Sequence, residues 1–165
     1  MINRRALKLN DFSLDAGILY FDNGDPETTV KLYEERYVFI APKSLTVSKE
    51  KQITWAEVAQ IPLCLLTQNM KNRQLIDRHF LELEISPSIV TEASDFTAVL
   101  AQVAAGNAAT IAPVSVAETF LDLKSTKQLD LIRPILTHSV GLSIKDQSPV
   151  LPMIEALRKL SLIHI

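Results

Sequence analysis

Two short segments place polar side chains at the start of a helix, and each could hold a small anion. The first is Thr67-Gln68-Asn69-Met70. It follows the apolar run Leu63 to Leu66 and precedes a helical stripe, so free backbone N–H groups and polar side chains converge there. A carboxylate fits such a place. Thr67 or Asn69 can equally act as an ordinary helix cap, the commoner use of these residues, and the sequence leaves the two uses open. The second segment is Ser94-Asp95-Phe96-Thr97. Ser94 suits the N-cap, Thr97 carries a hydroxyl in the first turn, and Phe96 can close an apolar pocket of mixed lining.

Other chemistry is poorly supported. Cys64 sits in Pro62-Leu63-Cys64-Leu65-Leu66 and reads as an inert buried thiol, since a reactive thiolate needs a cationic or helix-start setting. His79 falls on an apolar helix face and reads as a core or interface residue. His138 and His164 are isolated, and no His, Cys or carboxylate cluster has metal-ligand spacing. The glycines are Gly17, Gly24, Gly106 and Gly141, so neither a dinucleotide fingerprint nor a phosphate loop can be written. No Gly-x-Ser-x-Gly elbow occurs. The expectation is a protein without catalysis, cofactor or metal.

The elements that must position the two segments follow from periodicity. Ala16 to Phe21 reads as a strand ended by Asp22-Asn23-Gly24-Asp25-Pro26, and Tyr37 to Ala41 as another stopped by Pro42. Thr54-x-x-Glu57 is a capping box, with Ile53 placed to staple onto Val58. Leu63 to Leu66 is a buried strand. A helix over 69–84 carries Leu75, Ile76, His79, Phe80 and Leu83 on one face. Ser88 to Glu92 is a strand. Phe96, Val99, Leu100, Val103 and Ala104 then form a helical stripe, with Gly106 at its left-handed C′ position. Ala108 to Ala112 is a small-residue strand, Pro113 fits the first turn of another helix, and Val114 to Leu123 is that helix. Strands follow within Leu129 to Leu136 and at Val140 to Ile144, and Ser148-Pro149 caps a last helix. This alternation predicts an α/β protein with largely parallel sheets.

Composition sets the outer limits. The 165 residues carry 17 Lys and Arg against 19 Asp and Glu, a net charge of -2. That balance lacks the basic face a nucleic-acid module needs. One cysteine excludes an intrachain disulfide and suits a reducing cytoplasm. No signal peptide and no apolar run of about 18 residues can be found, so no membrane partner is expected.

Taken in order, several motifs resemble one family. Leu14-Asp15-Ala16-Gly17-Ile18, then Tyr37-Val38-Phe39-Ile40-Ala41-Pro42, then Thr54-Trp55-Ala56-Glu57-Val58-Ala59 with Ile61-Pro62-Leu63 are similar to stretches of LysR-type transcriptional regulators. Ala101-Gln102-Val103-Ala104-Ala105-Gly106 through Ile111-Ala112-Pro113 is similar to that family's effector-domain signature. The resemblance implies a two-lobed fold like the type 2 periplasmic binding proteins, with a small organic, anionic class of effector in the cleft. It implies a second lobe over 63–133, crossovers at 43–62 and 134–138, and a first lobe from 1–42 and 139–165. Thr67, Gln68, Asn69, Phe96 and Thr97 would be the effector contacts.

The helix-turn-helix and the opening elements of the first lobe have no counterpart in the sequence. The expectation is therefore an N-terminally truncated effector domain with an incomplete first lobe, contacting DNA only through a missing part. The usual dimer is in question, and homo-oligomer formation stays open. Two other readings remain: a self-associating interaction protein without a ligand, and a solute-binding receptor of the same fold.

Overall fold

A computed structural model of the chain describes residues 15–21, 29–45, 51–120, 124–144, 152, 154–156 and 159. In chain order the elements are β1 (Ala16–Phe21), β2 (Thr29–Pro42), β3 (Gln52–Thr54), α1 (Trp55–Ala59), β4 (Leu63–Leu66), α2 (Lys71–Glu82), β5 (Ile89–Ala93), α3 (Phe96–Ala104), β6 (Thr110–Pro113), α4 (Val114–Phe120), β7 (Thr126–Ile132) and β8 (Thr137–Ile144). They divide into two compact units, one from Met1–Glu35 with His138–Ile165 and one from Arg36–Thr137.

In the first unit β1 and β8 run antiparallel, from Ala16 opposite Ile144 to Phe21 opposite Ser139. Gly141 explains how closely the chain packs there. A Cβ on it would lie 2.6 Å from Phe21 Cε1 and 2.9 Å from Thr29 Cγ2, so this strand position has room for glycine alone. Of the expected last helix, residues 152, 154–156 and 159 are helical. Its Ser148-Pro149 cap lies outside the described residues.

The second unit holds both candidate segments. β2 pairs antiparallel with β6 over Tyr37 to Ile40 and with β7 over Val38 to Pro42. β3 joins β7 in parallel. β4 and β5 form a separate parallel pair, and Leu63 bridges to Ala109 beyond it. α3 lies over both groups of strands. Leu100 and Val103 pack with Val38, Ile40 and Ala112, while Val99 packs with Cys64, Leu66 and Ala108. The apolar stripe thus buries one helix face against two strand sets.

Several expectations need correction. The sheets are not largely parallel: β1–β8, β2–β6 and β2–β7 are antiparallel. Periodicity marks strands but carries no direction, and β2 runs between β6 and β7. Pro113 belongs to β6 rather than to the first turn of a helix, while α4 begins at Val114 as expected. Asp95, not Ser94, is the N-cap of α3, and its Oδ1 accepts from Ala98 N at 2.9 Å. A carboxylate there also meets the positive end of the helix. The helix expected over 69–84 spans Lys71–Glu82.

The local signals at Thr54 and Gly106 are realised. Thr54 and Glu57 form the reciprocal capping box. Gly106 has φ +85, and Asn107 N and Gly106 N donate to Gln102 O and Val103 O, the paired bonds of a Schellman stop.

Trp55 ties α1 to α2. Its ring lies 4.3 Å from the His79 ring and meets Phe80 edge-on at 5.0 Å. His79 Nε2 is buried with no hydrogen-bond partner among the described residues. Burial pushes the imidazole pKa below its ordinary value, against a smaller opposing pull from Glu82. The unfolded chain therefore takes up a proton at a pH where the folded chain does not. This group's contribution to stability is whole above about pH 6.5 and declines as the pH falls below it, until the folded imidazole protonates. Urea midpoints measured across this range are expected to fall more steeply in the native protein than in His79→Phe.

Candidate functional site

β4 and β5 end side by side, with Leu66 opposite Ala93. The pairing continues one step further, since Thr67 N donates to Ala93 O at 3.0 Å. Both candidate segments therefore leave the same carboxyl edge of a parallel pair, and each runs into a helix. Such an edge, where strands hand over to helix N-termini, is a recurrent ligand position in α/β proteins.

The two helix starts differ. Over Thr67 to Met70 the chain turns, with Met70 N donating to Thr67 O at 2.9 Å. Thr67 Oγ1 donates to Asn69 Oδ1 at 2.7 Å, and Gln68 O accepts from Gln74 Nε2 at 3.2 Å. Gln68 and Asn69 are exposed and Thr67 is half-buried. The N-cap of α2 is Met70, extended at φ -84 and ψ 136, with no side-chain cap hydrogen bond. The first turn of α2 has no acidic residue. Thr67 and Asn69 satisfy each other instead of the helix, so the ordinary cap left open by the sequence is not formed.

At α3 the position is filled. Asp95 caps it, and Ser94 Oγ donates to Asp95 Oδ2 at 3.4 Å. Thr97 stands exposed in the first turn. Phe96 is half-buried and packs against both core clusters, so its ring forms wall more than rim. Of the five candidate residues, Thr67, Gln68 and Asn69 form one turn, and Phe96 and Thr97 open the neighbouring helix.

Residues that sequence reasoning passed over hold this edge in shape. The Tyr37 hydroxyl donates to Asn72 Oδ1 at 2.9 Å, fixing the first turn of α2 from the buried end of β2. Arg73 is buried and donates to Leu66 O at 2.8 Å, to Asp77 Oδ1 at 2.7 Å and to Glu92 Oε1 at 2.6 Å. Burial works against its charge, but Asp77 and Glu92 outweigh burial and raise its pKa above the ordinary value. The only sequence signal for this cluster was Arg73 and Asp77 four residues apart on a helix.

Cys64 is fully buried, and burial pushes its thiol pKa up. Without thiolate character it lacks the nucleophile that oxidants and disulfide reagents attack. A thiol-specific disulfide reagent is expected to leave native Cys64 unmodified and to react fully after unfolding in urea. Among the described residues no three His, Cys, Asp or Glu side chains gather to hold a metal ion. No helix among them is long and apolar enough to cross a membrane.

A family model for the LysR substrate binding domain matches residues 3–162. The chain belongs to the LysR substrate-binding domain family. Solved structures share its fold, the periplasmic-binding-protein-like one of this family. The regulatory domain of Synechocystis CcmR in complex with 2-PG superposes with a TM-score of 0.84 at 9% identity, over 97% of this chain and 77% of that one. The effector binding domain of QuiR in complex with shikimate gives 0.79 at 19% identity, over 98% of this chain and 76% of that one. A variant of OxyR from Corynebacterium glutamicum gives 0.81 at 19% identity and 98% coverage, but this chain spans only 50% of its length. No curated protein matches the sequence. The family is one of transcriptional regulators.

Proposed function

We propose that this chain senses a small organic acid as the effector domain of a LysR-type transcriptional regulator. The acid sits at the carboxyl edge of β4 and β5. Thr67, Gln68 and Asn69 bind its charged group at the start of α2, Thr97 contacts it from α3, and Phe96 supplies apolar wall. One observation carries this reading: the N-terminus of α2 has no side-chain cap, while that of α3 beside it already holds the Asp95 carboxylate. Two neighbouring helix starts with the same polarity are thus unequally satisfied, and an incoming carboxylate or phosphate completes the second. Shikimate and 2-PG, bound by fold relatives, belong to this chemical class.

On this proposal the effector lobe of 63–133 lies within the compact unit Arg36–Thr137, the flanking segments supply the first lobe, and DNA contact belongs to a separate DNA-binding part. The effector acts by favouring one arrangement of the regulator, which requires different affinities for the alternatives. Thiol chemistry at Cys64 has no comparable support, because that thiol is buried with a raised pKa. Calorimetric titration with a panel of small organic acids tests the reading. Saturable binding that weakens in Thr97→Ala supports it, and heat without saturation at millimolar acid opposes it.

A further inference from the structure

We infer that Arg73 is the positioning residue of this edge, one guanidinium that fixes the spacing between the turn after β4 and the helix start after β5. The inference rests on the effector reading above for its purpose, but its geometry stands independently. Arg73 Nη1 reaches the last carbonyl of β4, Leu66 O, and also Glu92 Oε1, one residue before the end of β5. Its Nε reaches Asp77 Oδ1 one turn further along α2. Three chain segments that border the candidate site thus meet on one rigid planar group. Leu66 is followed at once by Thr67, and Glu92 precedes Ala93, whose carbonyl accepts from Thr67 N.

The arrangement is a costly way to gain stability alone. Burying a guanidinium sacrifices its hydration, and an apolar side chain of similar volume often serves folding as well. What the fork adds is direction, because its donors lie in fixed positions that a lysine ammonium cannot reproduce. Releasing it lets the Thr67–Met70 turn and the Asp95–Thr97 start move independently, so the two halves of the site lose their register together.

Amide hydrogen exchange on the full chain without ligand tests this, using Arg73→Lys. Exchange is expected to quicken about tenfold or more, the effect of losing roughly one charged hydrogen bond, at Thr67, Met70 and Ala98 together. The amides of Gly106 and Asp130, elsewhere in the unit, are expected to keep their rates. Unchanged rates, quickening in only one of the two segments, or a uniform rise across the unit each overturn the inference. If Arg73→Lys does not fold, Glu92→Gln, which keeps an acceptor but weakens the tie to β5, must show the same joint pattern. Unfolding of both variants assigns the cluster to global stability and also overturns it.

Shikimate serves as the ligand probe in a parallel titration. Weaker binding in Arg73→Lys than in the native chain supports the positioning role, and equal binding counts against it. Failure of the native chain to bind shikimate counts against the effector reading for this probe, while the exchange rates still decide the role of Arg73.

Discussion

Trp55→Ala is expected to lower the unfolding free energy by about 3–5 kcal/mol, the cost of removing a large buried aromatic and leaving its cavity. Trp55 is 1% exposed and is the largest fully buried side chain among the described residues. Its loss strips the edge-on contact with Phe80 and the ring contact with His79. It also orphans Pro134 O, which accepts from Trp55 Nε1 at 2.9 Å. Trp55→Phe separates these effects, since it restores most of the ring and leaves only the carbonyl unpaired. About 1–3 kcal/mol is expected for that variant. Urea denaturation followed by circular dichroism measures both, because the native fluorescence reporter is the mutated residue itself. Equal losses in the two variants would mean that the hydrogen bond to Pro134 O, not the packing on α2, carries the contribution of Trp55.

Met70→Asp is expected to move stability and binding in opposite directions. Met70 occupies the N-cap of α2, is 37% exposed, and makes no cap bond. An aspartate there can accept from the backbone N–H of Asn72 or Arg73, as Asp95 does from Ala98 at α3. A gain of about 0.5–2 kcal/mol follows from supplying a missing cap. The same carboxylate would occupy the place assigned to the effector's anionic group. Loss of a charge-assisted hydrogen bond together with like-charge repulsion is expected to weaken an organic acid by roughly tenfold to a hundredfold. Thermal unfolding and calorimetric titration of one sample measure both quantities. A stabilised variant with undiminished affinity would place the ligand elsewhere.

How far the sequence could be read depended on the range of the interaction. Thr54-x-x-Glu57 and Gly106 act on their own turns, so their chemistry is visible within a few residues, and both do what their types imply. Leu63 to Leu66 is an apolar run with a break on each side, and its strand has those bounds. Ser94 and Asp95 are both good caps, so only backbone geometry settles the N-cap of α3 on Asp95. Pro113 is ambiguous in sequence because a proline serves a helix start and a strand end equally well.

The site was legible as two segments but not as one place. Their adjacency comes from the pairing of β4 with β5, and strand pairing leaves no mark in local periodicity. Tyr37 and Asn72 are 35 positions apart, and Arg73 and Glu92 are 19 apart. Neither pair can be foreseen from spacing. Met70, an apolar residue at a cap position, is noticeable only once the helix start is located.

Amide chemical-shift mapping of the native chain titrated with shikimate, 2-phosphoglycolate and other small organic acids tests the central claim most directly. At least one acid is predicted to shift the amides of 67–73 and 94–98 together, saturably, with no comparable change in the Gly106 and Asp130 amides. The absence of any saturable shift at millimolar acid, or saturable shifts confined to residues away from the β4–β5 edge, would contradict it.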